Sequence, residues 1–135
     1  MTFYVLDTNI ISLLLRNDST TLAHFNDILL PDNLIIGCPL VWYEVQRGLL
    51  KRDARRQADH FHDLFQTFIW QDYTEADWAL AATLWAQRFR QGLPVADADL
   101  LIGAFSIVRN AVLVTNNAPD FDRLGISIEN WSHPT

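Results

Sequence analysis

The sequence has one cysteine, Cys38, one methionine, and only five glycines and five prolines in 135 residues. A single thiol can supply neither an internal disulfide nor a structural zinc site, so the fold has to rest on an apolar core. The lone cysteine also fits a reducing compartment, and a cytoplasmic location is expected. So little glycine and proline argues against a disordered chain, and no internal repeat, linker or low-complexity stretch is present. No uninterrupted apolar run approaches the roughly 20 residues of a membrane helix. The apolar start from Phe3 to Leu6 lacks a basic leader and stops at Asp7, so neither a membrane span nor a signal peptide is expected. Positive charge is scarce as well: 10 Lys and Arg stand against 16 Asp and Glu, a formal net charge of −6. That balance argues at first against a nucleic-acid partner, because phosphates are contacted mostly by Lys and Arg.

Several motifs are missing too. There is no phosphate-cradling glycine loop and no nucleophile elbow, and Cys38 stands beside Pro39 without an activating histidine, which disfavours nucleotide-binding and acyl-transfer chemistry. His60 and His62 are two apart, so on a helix they point in different directions and do not form a zinc pair; His24 and His133 have no nearby partners in the sequence.

Half of the residues are hydrophobic and 12% are aromatic, enough for one domain spanning 1–135 that buries roughly two thirds of its unfolded surface. The apolar runs are of two alternating kinds. Residues 3–6, 34–36 and 111–114 read as buried strands, with 68–70 and 126–128 as weaker candidates. Helical spacing marks residues 8–16, 20–30, 39–51, 54–68, 74–91 and 98–109. The helix beginning at Thr74 is the clearest: Thr74 and Asp77 have capping-box spacing, Trp78, Ala81, Trp85 and Phe89 recur at three or four, and Gly92 with Pro94 ends it. Such alternation predicts an α/β fold, an α/β/α sandwich with a mostly parallel central sheet.

In open α/β sheets, ligands bind beyond the carboxyl ends of the strands. Asp7-Thr8-Asn9 follows the first strand, Glu44 lies in the first turns of the helix after the second, Asp97-Ala98-Asp99 opens the helix near 98–109, and Thr115-Asn116-Asn117 with Asp120 follows the next strand. Three carboxylates about 5 Å apart would repel by about 10 kcal/mol in total at an effective dielectric of about 20. A helix N-terminus offsets only about 0.3–1 kcal/mol for each, so protonation or a bound cation must relieve such a cluster. Oxygen ligands without Cys or His select a hard cation, Mg²⁺ or Mn²⁺. That ion suits phosphodiester hydrolysis, since it activates water and neutralises charge on the phosphate and leaving oxygen.

Plainer roles exist for the same residues. Asp7 is read equally as a helix cap or a ligand, Asn9 as a cap or turn residue, and Asp97 as a cap on the amide of Leu100. Asn117 and Asp120 either shape a turn or join the site. Glu44 is harder to explain as a solvated residue, because Val41, Trp42, Val45 and Leu49 surround it in the sequence. Asp99 falls in the first turn of its helix, placed to look toward the sheet edge.

The chain resembles the PIN-domain ribonucleases, and within them the VapC toxins of prokaryotic toxin–antitoxin pairs. The resemblance is carried by Val5-Leu6-Asp7-Thr8-Asn9, by Glu44 with Val45 and Gly48, by Asp99-Leu100-Leu101-Ile102-Gly103-Ala104, and by Val114-Thr115-Asn116-Asn117 with Asp120-Phe121, in the family's order. It implies an endoribonuclease dependent on Mg²⁺ or Mn²⁺, acting on tRNA or another structured RNA, held inactive by a VapB-like antitoxin, as a homodimer within a larger complex. By position it makes Asp7 and Asp99 the principal metal ligands and Glu44 the third acid, with Thr8, Asn9 and Thr115 holding the carboxylates. Asn117 stands where many relatives have Asp, and Asp120 is the substitute. The implied chemistry is in-line attack on a phosphodiester by a water that the cation activates.

Two rivals follow. One is a PIN-fold binding module with weak or no catalysis, acting in DNA-bound autoregulation with its antitoxin. The other is a phosphohydrolase of the haloacid dehalogenase type, which expects a second Asp where Asn9 stands. Five of the ten basic residues, Arg47, Lys51, Arg52, Arg55 and Arg56, fall within ten positions and share one helical side if the helix continues through Asp53. They read first as a solvated face paired with Asp53 and Asp59, and alternatively as a patch for RNA backbone or for an acidic antitoxin segment. The tryptophans at 42, 70, 78, 85 and 131 read as core or interface residues rather than base-stacking platforms.

Overall fold

In a computed structural model of the chain, which describes residues 1–121 and 124–134 and leaves out the side chain of Asp120, the three apolar runs form the centre of a sheet. Strand β1 is Thr2–Leu6, β2 is Asn33–Gly37 and β4 is Val112–Val114; the edges are β3, Ile69–Trp70, and β5, Ile128–Glu129. The order is β3-β2-β1-β4-β5 and every pairing is parallel, with Tyr4 opposite both Ile35 and Val112. Parallel strands buried on both faces need continuous apolar runs rather than alternation. Accordingly Val5, Leu113 and Val114 are fully buried and Leu6 nearly so. The weak signal at 68–70 has a physical counterpart: β3 is two residues long and exposed, as short edge strands are.

Helices α1 (Thr8–Leu15), α2 (Ser19–Ile28), α3 (Pro39–Arg52), α4 (Arg55–Gln66), α5 (Glu75–Arg90) and α6 (Asp97–Val108) fill the connections, with a single turn, α7, at Ala118–Phe121. The sequence read the last as a turn because four residues are too few for a helical period. The sandwich core includes Ile10, Ile11, Val41, Phe61, Phe105 and Trp131.

The structure corrects or sharpens several expectations. The face of α5 bearing Trp78, Trp85 and Phe89 points outward, with these side chains 54%, 46% and 62% exposed, while Ala81 and Leu84 pack inward against α6. Of the five tryptophans, expected in the core or at an interface, Trp131 is core and the other four are exposed. The basic stretch is not one helix: Asp53 ends α3 in the left-handed conformation, φ 51°, and α4 starts at Arg55, so the five cations lie on two differently directed elements. His24 also has partners, stacking on Trp131 and hydrogen-bonding the His133 carbonyl.

One polar tie is buried. The capping box of α5 is formed as predicted, with Asp77 accepting from the Thr74 amide at 2.8 Å. The same carboxylate takes both terminal nitrogens of Arg109, at 2.7 and 3.0 Å, and the guanidinium reaches Gln71, the Asp72 carbonyl and the Phe105 carbonyl as well. Burial pushes the Asp77 carboxyl up. The Arg109 hydrogen bonds and charge, with the Thr74 amide and hydroxyl, outweigh it and hold the group below the ordinary carboxylate range.

Candidate active site

Strand order reverses direction between β1 and β4, since β2 and β3 lie on one side of β1 and β4 and β5 on the other. Such a switch point opens a crevice beyond the carboxyl ends of its two strands, because the connections leave in opposite directions. Asp7 follows β1 and Thr115 follows β4, and they meet there: Thr115 Oγ1 donates to Asp7 Oδ2 at 2.8 Å. Thr115 in turn accepts from the Asn117 amide at 3.0 Å, which draws the turn after β4 onto the same point.

Asp7 is also the N-cap of α1, accepting from the Thr8 amide at 2.8 Å. Cap and site residue, left as alternatives by the sequence, are therefore compatible, because the two carboxylate oxygens serve different donors. The side chain is buried, 6% exposed, and Thr115 is wholly buried. One residue on, Thr8 Oγ1 donates to Glu44 Oε1 at 2.8 Å. Glu44 sits on α3 between buried Val41 and Val45, with 19% of its side chain exposed, and its other oxygen stands 3.8 Å from Arg47. Asp7 and Glu44 are thus linked through adjacent residues of one helix start, although 36 positions separate Thr8 from Glu44.

Asp99 reaches the same edge by topology. The helix that leads into a parallel strand runs antiparallel to it, so the first turn of α6 lies at the carboxyl ends of β1 and β4. Asp99 lines a cavity of about 290 Å³ with Arg88, Ala96 and Pro119. Arg88 donates Nε to the Leu93 carbonyl at 3.0 Å, and its Nη1 is buried without a partner. Nothing in the sequence singled out Arg88, because the loop that brings it to Asp99 has no motif. Among the described residues no three acids, histidines or cysteines stand within reach of one ion as placed. Asp7 and Glu44 are each engaged by a threonine hydroxyl, and Asp99 occupies the neighbouring cavity.

The remaining candidates divide. Asp97 is not a cap: Ala96 is the N-cap of α6, and the Leu100 amide bonds the Ala96 carbonyl, leaving Asp97 exposed at the first helical position. Among the described residues, the buried Oδ1 of Asn9, in the first turn of α1, has no hydrogen-bond partner. Asn117 is exposed beyond β4. Asp120 belongs to α7, and its side chain lies outside the described part of the chain.

The thiol of Cys38 is buried, 1% exposed, and lies 3.4 Å from the Tyr73 hydroxyl, which donates to the Leu101 carbonyl. Burial is the largest influence on the thiol and pushes it up, against its contact with the Tyr73 hydroxyl, and so disfavours the thiolate.

Known proteins resemble this arrangement over nearly the whole chain. Ribonuclease VapC2 of Rickettsia felis is 29% identical over 134 residues, covering 95% of this chain and 97% of its own. Ribonuclease VapC1 of Haemophilus influenzae is 28% identical over 131 residues, covering 96% and 98%. The crystal structure of VapBC2 from Rickettsia felis, bound to a DNA fragment from its promoter, contains a chain that superposes with a TM-score of 0.85 at 28% identity, covering 97% of this chain and all of that one. The family model described as the PIN domain matches residues 4–126, and the chain belongs to the PIN-domain family.

Proposed function

We infer that this protein is a ribonuclease of the VapC type, the toxin half of a VapBC-like toxin–antitoxin pair, in which the whole chain 1–135 works as one PIN-like domain. Ribonucleases of this family are in general dependent on a divalent cation. Asp7, Glu44 and Asp99 are its ligands here, and Mg²⁺ or Mn²⁺ is the ion. The donor chemistry fits: the three acids offer oxygen only, and the orphaned Asn9 Oδ1 beside Asp7 is a carbonyl acceptor of the kind hard cations or their waters take. Bound there, the cation supplies Lewis acidity, activating water and neutralising charge on the attacked phosphate and leaving oxygen.

The protein's own residues do the positioning. The Thr115 hydroxyl fixes Asp7 and the Thr8 hydroxyl fixes Glu44, so neither carboxylate has to be ordered when the substrate arrives. Glu44, partly exposed, orients the attacking water. Asp120 supplies a further acid where Asn117 has none. The substrate is tRNA or another structured RNA, the partner a VapB-like antitoxin, the assembly a homodimer within a larger complex, and the compartment the cytoplasm. Among the described residues no helix is long and apolar enough to cross a membrane.

The observation that carries this reading is the pair of threonine-held carboxylates at the switch point of a PIN-family chain. Cleavage of RNA by the purified protein with Mg²⁺ or Mn²⁺, blocked by EDTA, tests it; intact RNA under both cations refutes it. One observation favours a second role, in promoter-bound autoregulation: the Rickettsia felis complex was captured on promoter DNA. Retention of promoter DNA by the toxin–antitoxin complex, with no cleavage of RNA by the free toxin, would make that role the principal one.

A further inference from the structure

Gly48 lies in mid α3, where only proline is less favourable than glycine. Its surroundings do not demand glycine. A methyl group there would meet only the Arg52 guanidinium, at 3.6 Å, an ordinary contact, and its φ is not left-handed. What the missing side chain does is leave open a cavity of about 480 Å³ between α1, α3 and α4, whose walls include Thr8, Arg16, Glu44, Arg52 and Gln57. Since Thr8 and Glu44 form one of the two hydroxyl–carboxylate pairs of the candidate active site, the cavity adjoins the acids directly.

The chemistry of its walls is specific. Arg16 reaches the Ser12 carbonyl at 3.4 Å and Arg52 reaches Gln57 at 3.5 Å, both at the far limit of hydrogen bonding. Among the described residues neither forms an ion pair, whereas Arg47, Arg55 and Arg109 do. Arg16 lies near enough to Asp18 for their charges to interact, but neither arginine is held in a close ion pair among the described residues, and two planar donor forks facing one polar cavity suit a phosphate diester. The volume is within the roughly 300–1,000 Å³ of small-ligand clefts and admits one nucleotide.

We propose that this cavity is a nucleotide subsite for the RNA strand next to the bond that is cut, with a backbone phosphate on Arg16 and Arg52 and the nucleoside over Gly48. The proposal rests on the ribonuclease reading above and adds where the strand runs: away from the acids, along the ends of α1 and α3. It also gives the localised cation that a chain of net charge −6 needs to hold RNA.

The test uses the full-length protein and a fluorescein-labelled RNA oligonucleotide, with anisotropy measured in EDTA so that binding is read apart from cleavage. Gly48→Leu fills the cavity with a better helix former; it should keep or raise the melting temperature while weakening RNA binding at least tenfold. Arg16→Ala with Arg52→Ala should reduce the slope of log K against log salt by about 0.7, one phosphate on a single strand. Arg55→Ala, outside the cavity, should leave the slope unchanged. A folded Gly48→Leu protein that binds and cleaves RNA like wild type overturns the proposal. So does unchanged RNA binding with loss of the complex with co-expressed antitoxin, which would assign the cavity to the partner protein. Wild-type protein that leaves RNA intact in Mg²⁺ and Mn²⁺ would refute the ribonuclease reading instead, and the two failures are distinguishable.

Discussion

Thr115 and Asp7 are 108 positions apart in the sequence and 2.8 Å apart in the fold, joined by a hydroxyl-to-carboxylate hydrogen bond at the point where the strand order reverses. The bond fixes the orientation of a buried acid, and groups that orient a ligand typically change metal affinity or activity 10- to 100-fold when removed. Thr115→Val should therefore lower kcat/KM on RNA by roughly that factor and weaken divalent-cation binding in calorimetry. Thr115→Ser, which keeps the hydroxyl, should recover most of both.

Asp7→Asn and Asp99→Asn each keep shape and lose charge. Metal-dependent RNA cleavage should disappear in either variant while circular dichroism and the melting curve stay those of wild type. Substantial activity in a folded Asp7→Asn protein would remove Asp7 from the catalytic set. Asp120→Asn should cost less than either, since that acid only supplements the first three.

The bidentate pair of Asp77 and Arg109 is a stability element remote from the chemistry. Breaking a buried pair by removing one partner leaves an uncompensated charge and typically costs about 3–5 kcal/mol. Arg109→Met should show a loss of that size in urea denaturation. The sign of the pH effect follows from the depressed carboxyl of Asp77. Its contribution is present above the unfolded-state value of about 3.9 and is lost as pH falls through the lower folded value. Wild type should lose stability through that acid range more steeply than Asp77→Asn, in denaturation curves taken between pH 6 and 2.

Cys38, buried and hydrogen-bonded to Tyr73, should resist thiol reagents at pH 8 in the native state and react only on unfolding. Labelling followed by mass spectrometry, with and without guanidinium, measures this directly. Rapid labelling of the native protein would mean that the loop before α3 opens.

What could be read from the sequence was what depends on near neighbours. The capping box of Thr74 and Asp77 spans three residues, and the helix it starts was predicted to within one position at each end. Buried parallel strands announce themselves as unbroken apolar runs. Polar residues at strand ends could then be assigned to one sheet edge, which brought Asp7, Glu44, Asp99 and Thr115 into consideration together. Period alone does not say which stripe of a helix faces in, and on α5 Ala81 and Leu84 are the buried residues while the larger Trp78, Trp85 and Phe89 are exposed. The break around residues 52–53 was legible as a gap between two helical periods, but the left-handed turn at Asp53 that makes it was not, because a non-glycine residue there is uncommon and carries no mark. Arg109, Arg88 and the contact of His24 with Trp131 involve partners that only the finished fold brings near.

The strand order has a consequence for the cell that makes this protein. Asp7 is synthesised 108 residues before Thr115, whose hydroxyl holds it at the end of β4. A nascent chain that has not yet reached β4 therefore carries Asp7 without the hydroxyl that fixes its orientation. Products truncated before β4 should fail to cleave RNA for the same reason: the buried acid and the hydroxyl that orients it come from strand ends 108 positions apart.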